Sequence, residues 1–111
     1  MNLNIEQSEY DKYYDVKLNG ELDVYTAPEL RSVLEPLREK GDKDIHIDLE
    51  ELSYMDSTGL GIFVGTIKEL NKNEKNLYVL NASERIFKLF EITGLNGLMY
   101  VNEKVEVDID E

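Results

Sequence analysis

Apolar residues change their spacing along this chain of 111 residues, and the changes divide it into elements. Leu3 to Glu9 and Tyr14 to Leu18 alternate apolar with polar positions, the second run placing Tyr14, Val16 and Leu18 on one face. Period-2 runs predict strands, and the polar Glu9-Tyr10-Asp11-Lys12 between them predicts the turn of an antiparallel hairpin. Gly20 is expected to loosen the exit from the second strand. Glu21 to Tyr25 then leads to Thr26, which with Glu29 three residues on has the form of a capping box. From there Leu30, Val33, Leu34 and Leu37 recur at helical spacing until Lys40-Gly41 supplies a stop. Pro28 suits a first turn. Pro36 would remove the hydrogen bond to the Ser32 carbonyl, which predicts a bend or an early end.

Asp44 to Leu49 reads as the next strand, with Ile45, Ile47 and Leu49 on one face and His46 and Asp48 on the other. Leu60, Phe63, Val64, Ile67 and Leu70 carry a second helical stripe to Asn71-Lys72-Asn73. Leu77 to Leu80 is a short apolar run of the kind buried in parallel sheets. Ser83 or Asn81 can cap a third helix, in which Ile86, Leu89 and Phe90 share a face before Thr93-Gly94 ends it. Leu98 to Val101 predicts an edge strand, and the alternation of Val105, Val107 and Ile109 with acids in the tail from Asn102 fits either a strand or a frayed end. Strands alternating with helices through right-handed crossovers predict an α/β fold. The expected architecture is a mixed, mostly parallel sheet with an N-terminal antiparallel hairpin, flanked by helices.

With 41% hydrophobic residues and no Pro/Gly/Ser linker, internal repeat or low-complexity tract, the chain predicts one domain over residues 1–111. Twelve Lys and Arg against 24 Asp and Glu give a net charge of −12. That sign opposes phosphate backbones and anionic bilayers, so neither nucleic acid nor a membrane is an expected partner. No apolar run approaches the roughly 20 residues of a membrane span. Met1-Asn2-Leu3-Asn4 does not resemble a signal segment, and no cysteine is present, so cytoplasmic residence is expected.

Polar reactive groups, glycines and a strand-to-helix boundary coincide only at Tyr54-Met55-Asp56-Ser57-Thr58-Gly59-Leu60-Gly61. A helix N-terminus presents amides without internal partners and a positive dipole end, which suits an anion brought by a ligand or carried by the chain. The nucleotide fingerprints fail on spacing. Gly59 and Gly61 are followed by Val64 and then Gly65, one place late for the dinucleotide motif, and the strand ending at Asn81 offers no acid in the ribose position. A Walker loop needs Lys before its hydroxyl, whereas Gly65 precedes Thr66 directly. Asp56 and Gly59 are too far apart for the aspartic-protease turn. A serine hydrolase lacks both the nucleophile elbow and a base other than the single His46. No cofactor, metal site or catalytic residue is therefore expected. Two readings of the residues stay open. Asp56 or Ser57 caps the helix and the glycines allow close packing, or Ser57 is a phosphate acceptor beside an apolar surround of Met55 and Leu60.

The same stretch resembles the phosphorylation motif of the anti-sigma factor antagonists, bacterial single-domain proteins of the STAS superfamily, with the general-stress type the nearer likeness. The resemblance extends to Gly20-Glu21-Leu22-Asp23 followed by Thr26-Ala27, to Asp48-Leu49, and to Phe87, Leu89, Phe90 and Gly94-Leu95. It implies a STAS fold and no enzymatic activity. It further implies that Ser57 is phosphorylated by an anti-sigma factor that is also a serine kinase, and that a serine phosphatase reverses this. Thr58 is the secondary acceptor by adjacency. Asp23 would lie in the partner-binding loop, with Asp56, Ser57, Thr58, Gly59, Leu60 and Gly61 completing the partner surface. A nucleotide-binding module or a scaffold domain in a stress-signalling assembly is the alternative.

Overall fold

A computed structural model describes residues 2–103. Its elements are β1 (Leu3–Glu9), β2 (Tyr13–Leu22), α1 (Ala27–Lys40), β3 (Asp44–Met55), α2 (Ser57–Lys72), β4 (Leu77–Leu80), α3 (Glu84–Thr93), a 3-10 turn (Leu95–Gly97) and β5 (Tyr100–Val101). The five strands form one sheet in the order β1-β2-β3-β4-β5. Only β1 and β2 are antiparallel, and every later neighbour is parallel. This is the expected mixed sheet with its N-terminal hairpin. Because the strand order advances in one direction, right-handed crossovers lay all three helices on one face of the sheet.

Alternation along the strands agrees with that placement. Tyr14, Val16 and Leu18 of β2, Ile45, Ile47 and Leu49 of β3, and Leu77 and Val79 of β4 are buried toward the helices. Leu30, Leu34 and Leu37 of α1, Phe63 and Leu70 of α2, and Phe90 of α3 fill the same core, with Phe63 and Phe90 ring centroids 5.8 Å apart. The opposite face carries an aromatic row. Tyr13 stacks on His46 at 3.9 Å, His46 lies 5.0 Å from Tyr78, and Tyr78 stacks on Tyr100 at 4.7 Å. His46 is thereby buried away from the helices.

Four sequence expectations change. β3 continues to Met55 instead of ending at Leu49. Its pairing with β2 slips twice: Lys17 and Asn19 face Asp48 and Glu51, and Gly20 and Glu21 face Leu52 and Tyr54. Each slip places one extra residue in β3, so its inward residues after Leu49 are Leu52 and Met55. A spacing of three hides a strand from a search for period two. Gly20 does not loosen an exit. It sits within β2 at φ +124°, and a Cβ there would press on the Asn2 carbonyl that accepts from Glu21 N at 2.9 Å.

Pro36 does not end α1, which runs through to Lys40 and closes on Gly41 in the left-handed conformation. Ser32 and Pro36 are both exposed, so water can serve the carbonyl that Pro36 leaves without a donor, while Leu34 and Leu37 hold the helix to the core. The predicted edge strand shortens to Tyr100–Val101, leaving Leu98 exposed after the 3-10 turn. Of the two candidate caps for α3, Ser83 is the one used, its hydroxyl accepting from Ile86 N at 3.3 Å. Val105, Val107 and Ile109 lie outside the described residues.

Candidate functional site

The C-terminal ends of β2 and β3 lie side by side, Leu22 paired with Met55, and each strand hands over to a helix within five residues. The two junctions are tied together, since Asp56 N donates to Leu22 O at 3.2 Å. Asp56, in extended backbone, is the cap of α2. Its Oδ1 accepts from Thr58 N at 2.9 Å and from Gly59 N at 3.3 Å. A carboxylate of the chain thus already occupies the amides that would cradle a ligand's phosphate, which argues against a nucleotide site there.

The remaining residues of the motif divide by exposure. Ser57, the first residue of α2, is exposed, and Thr58 and Leu60 are half-buried. Gly59 is buried, and a Cβ at this position would lie 2.7 Å from Leu22 Cδ2 and 2.9 Å from Met55 Cγ. Only a glycine lets the first turn of α2 settle this closely on the strand ends. Gly61 is exposed, and a Cβ there would meet nothing within 4 Å. Packing therefore explains one glycine and leaves the other as bare surface. The expected apolar surround is only partly present, because Met55 points into the core at 7% exposure and Leu60 is half-covered.

At the first junction the predicted capping box does not form. Thr26 makes no side-chain cap to α1. Its hydroxyl turns back, donating to Glu21 O at 2.8 Å and accepting from Asp23 N at 3.0 Å. Asp23 takes over the work, its Oδ1 accepting from Tyr25 N at 2.9 Å and Thr26 N at 3.0 Å. Both residues are buried, at 4% and 3% exposure, and Asp23 Oδ2 is enclosed without a hydrogen-bond partner. The structure therefore brings Asp23 beside the motif, but with its charge turned inward. What the loop displays is Tyr25, 78% exposed, and Val24, 58% exposed, with Tyr54 at the end of β3 also open. Tyr54 opens the motif, whereas Val24 and Tyr25 carry no expected role; their signal in the sequence is a pair of apolar residues stranded between a strand and a helix where neither period includes them.

His46 cannot serve Ser57. It lies nine residues before the end of β3 at Met55, roughly 30 Å at strand rise, packed between Tyr13 and Tyr78. Among the described residues, no group of three or more His, Cys, Asp or Glu is placed to hold a metal ion. No helix among them is long and apolar enough to cross a membrane.

Comparison with known proteins gives this geometry a context. The STAS domain family profile matches residues 4–111. The chain is 63% identical over 108 residues to an anti-sigma-B factor antagonist of Staphylococcus aureus strain NCTC 8325 / PS 47, covering 97% of this chain and 100% of the relative. Among solved structures, the anti-sigma factor antagonist SpoIIAA in its unphosphorylated form superposes with a TM-score of 0.75 at 23% identity, covering 92% of this chain and 90% of that one. The Bacillus cell fate determinant SpoIIAA in the phosphorylated form gives 0.72 at 27% identity, covering 93% of each chain. The relatives bear the names of antagonists, regulatory binding proteins rather than enzymes, and the chain falls among them.

Proposed function

The chain belongs to the STAS domain family, and from that membership we propose that it is an anti-sigma factor antagonist switched by phosphorylation of Ser57. In its unphosphorylated form it binds an anti-sigma factor that is also a serine kinase, and so releases the sigma factor. Transfer of the ATP γ-phosphoryl group to Ser57 Oγ, with loss of the hydroxyl proton, ends the binding, and a serine phosphatase restores it by hydrolysis. The cytoplasm is where these partners would meet. The observation that carries the reading is the exposure of Ser57 at the first position of a helix whose amides are already capped by Asp56.

Charge explains why the switch spares the fold. A phosphoserine adds about −1.5 to −2 charges at pH 7, and a helix N-terminus is the end that tolerates anions best. Similarity of this chain to SpoIIAA structures of both forms, at TM-scores of 0.75 and 0.72, supports a domain that keeps its shape. The cost then falls on the partner surface. One added unit charge about 5 Å from a partner carboxylate costs roughly 3 kcal/mol at an effective dielectric near 20, about a hundredfold in affinity.

Incubation with ATP, alone and with the anti-sigma kinase, tests the reading. Label should enter only with the kinase present, and mass spectrometry should place it on Ser57. Ser57→Ala should bind the kinase and resist modification, whereas Ser57→Asp should bind roughly a hundredfold more weakly. Hydrolysis of ATP or tight nucleotide binding by this chain alone would sink the proposal.

A further inference from the structure

We infer that Asp23 is a positioning residue and that the side chain it positions, Tyr25, is the apolar anchor by which the anti-sigma factor grips this face. The inference rests on the function proposed above and alters what the family likeness suggests for Asp23. An acid in a partner-binding loop is naturally read as a charge offered to the partner. Here that reading meets an obstacle of geometry. Asp23 is 4% exposed, one carboxylate oxygen is committed to Tyr25 N and Thr26 N, and the other is enclosed. No partner atom can reach either oxygen while the turn holds.

The turn itself has a purpose that the same bonds reveal. Asp23 Oδ1 and the inward Thr26 hydroxyl hold residues 23–26 in a single arrangement from beneath, through Asp23 N, Tyr25 N, Thr26 N and Glu21 O. The two side chains not used in that lattice, Val24 and Tyr25, stand out at 58% and 78% exposure. A rigid, amphipathic ring presented on an immobilised loop loses little freedom on binding, which is what an interface anchor needs. Its position sets the occupant. Leu22, which precedes the loop, packs on Gly59 and accepts from Asp56 N, so the loop that displays Tyr25 begins beside the turn that bears Ser57. A protein engaging Ser57 as its kinase meets Tyr25 as well. The chemistry required of it is an apolar pocket with a cationic rim, since Glu21 precedes the loop, Asp56 caps the helix beside its base, and the chain carries −12 overall. The same sign disfavours an anionic bilayer as the occupant.

Titration of the purified full chain against the anti-sigma kinase, by calorimetry, tests this with Ser57→Asp as the reference for the underlying function. Tyr25→Ala should weaken binding roughly tenfold to a hundredfold with no change in the thermal midpoint, because the side chain is exposed. Tyr25→Phe should remain within about threefold of the parent, as the ring is kept. Asp23→Asn retains the accepting carbonyl and should also bind nearly as the parent does, whereas Asp23→Ala should lose affinity as Tyr25→Ala does. The double variant should bind no more weakly than Tyr25→Ala alone, the mark of two residues acting through one contact. If Ser57→Asp loses binding while Tyr25→Ala binds like the parent, the anchor is overturned and the proposed function stands. Equal loss in Asp23→Asn and Asp23→Ala would instead make the charge itself the contact and overturn the positioning role. A parent chain that binds no anti-sigma kinase overturns both.

Discussion

The strand-to-helix junctions that follow β2 and β3 are built from the same chemistry and put it to opposite use. Each leaves a parallel strand, each places an aspartate where the first amides of the following turn need an acceptor, and each supplies a hydroxyl close behind. At Asp23 and Thr26 both groups are turned inward and spent on backbone partners, at 4% and 3% exposure. At Asp56 and Ser57 the carboxylate caps the helix from a half-exposed position, and the hydroxyl stands in solvent. A side chain consumed by the fold is unavailable to a partner. The difference therefore separates a junction that holds a surface in shape from one that can be modified.

Exchanging these roles by mutation should reveal the asymmetry, most strongly in phosphorylation. Loss of Ser57 to Ala should reduce kinase-dependent label to background, apart from any transfer to the half-buried Thr58, while Thr26→Ser should take up none at residue 26. Phosphopeptide mapping reads both. Label on the buried Thr26 position would break the comparison.

Stability should respond in the reverse order. Thr26→Val removes a buried hydroxyl that bonds Asp23 N and Glu21 O and leaves both short of a partner, at a cost of about 1–3 kcal/mol in urea unfolding. Gly59→Ala forces a methyl group to within 3 Å of Leu22 and Met55 and should cost a comparable 1–3 kcal/mol, roughly, by overpacking. Loss of the cap in Asp56→Ala should cost about 1 kcal/mol, and Ser57→Ala should lie within about 0.5 kcal/mol of the parent because the hydroxyl is outside the packed structure.

One small effect has the opposite sign. Gly61→Ala, with open space around it, should stabilise α2 by about 0.5–1 kcal/mol through helix propensity alone. The same variant should weaken kinase binding if the partner approaches the helix backbone there, and a thermal melt beside a titration separates the two outcomes.

Element types and their order were legible from residue spacing because they follow local periods. β1, β4 and α3 fall where alternation or helical spacing placed them, and Gly41 and Gly94 end helices by the left-handed conformation that glycine favours. The place of Ser57 at a helix N-terminus was legible too, since it follows from its neighbours in the chain. Legibility failed where a residue answers to a distant segment. β3 runs past its period-2 stretch because its bulges are set by the register with β2, which turns Leu52 and Met55 inward at a spacing no single strand would use. Thr26 does not make the forward cap its spacing from Glu29 suggests, because Asp23 N and Glu21 O compete for its hydroxyl.

From sequence alone came the α/β order, the helix terminus that tolerates an anion, and a serine placed upon it. These depend on periodicity and on capping chemistry within a few residues. Only the tertiary structure decided that Gly59 is required and Gly61 is free, that Asp23 faces the interior, and that Tyr25 is the group the loop displays. Each of those depends on which atoms of β2, β3 and α2 approach one another. That proximity is set by pairing strands some 30 residues apart in the chain, as Leu22 and Met55 are.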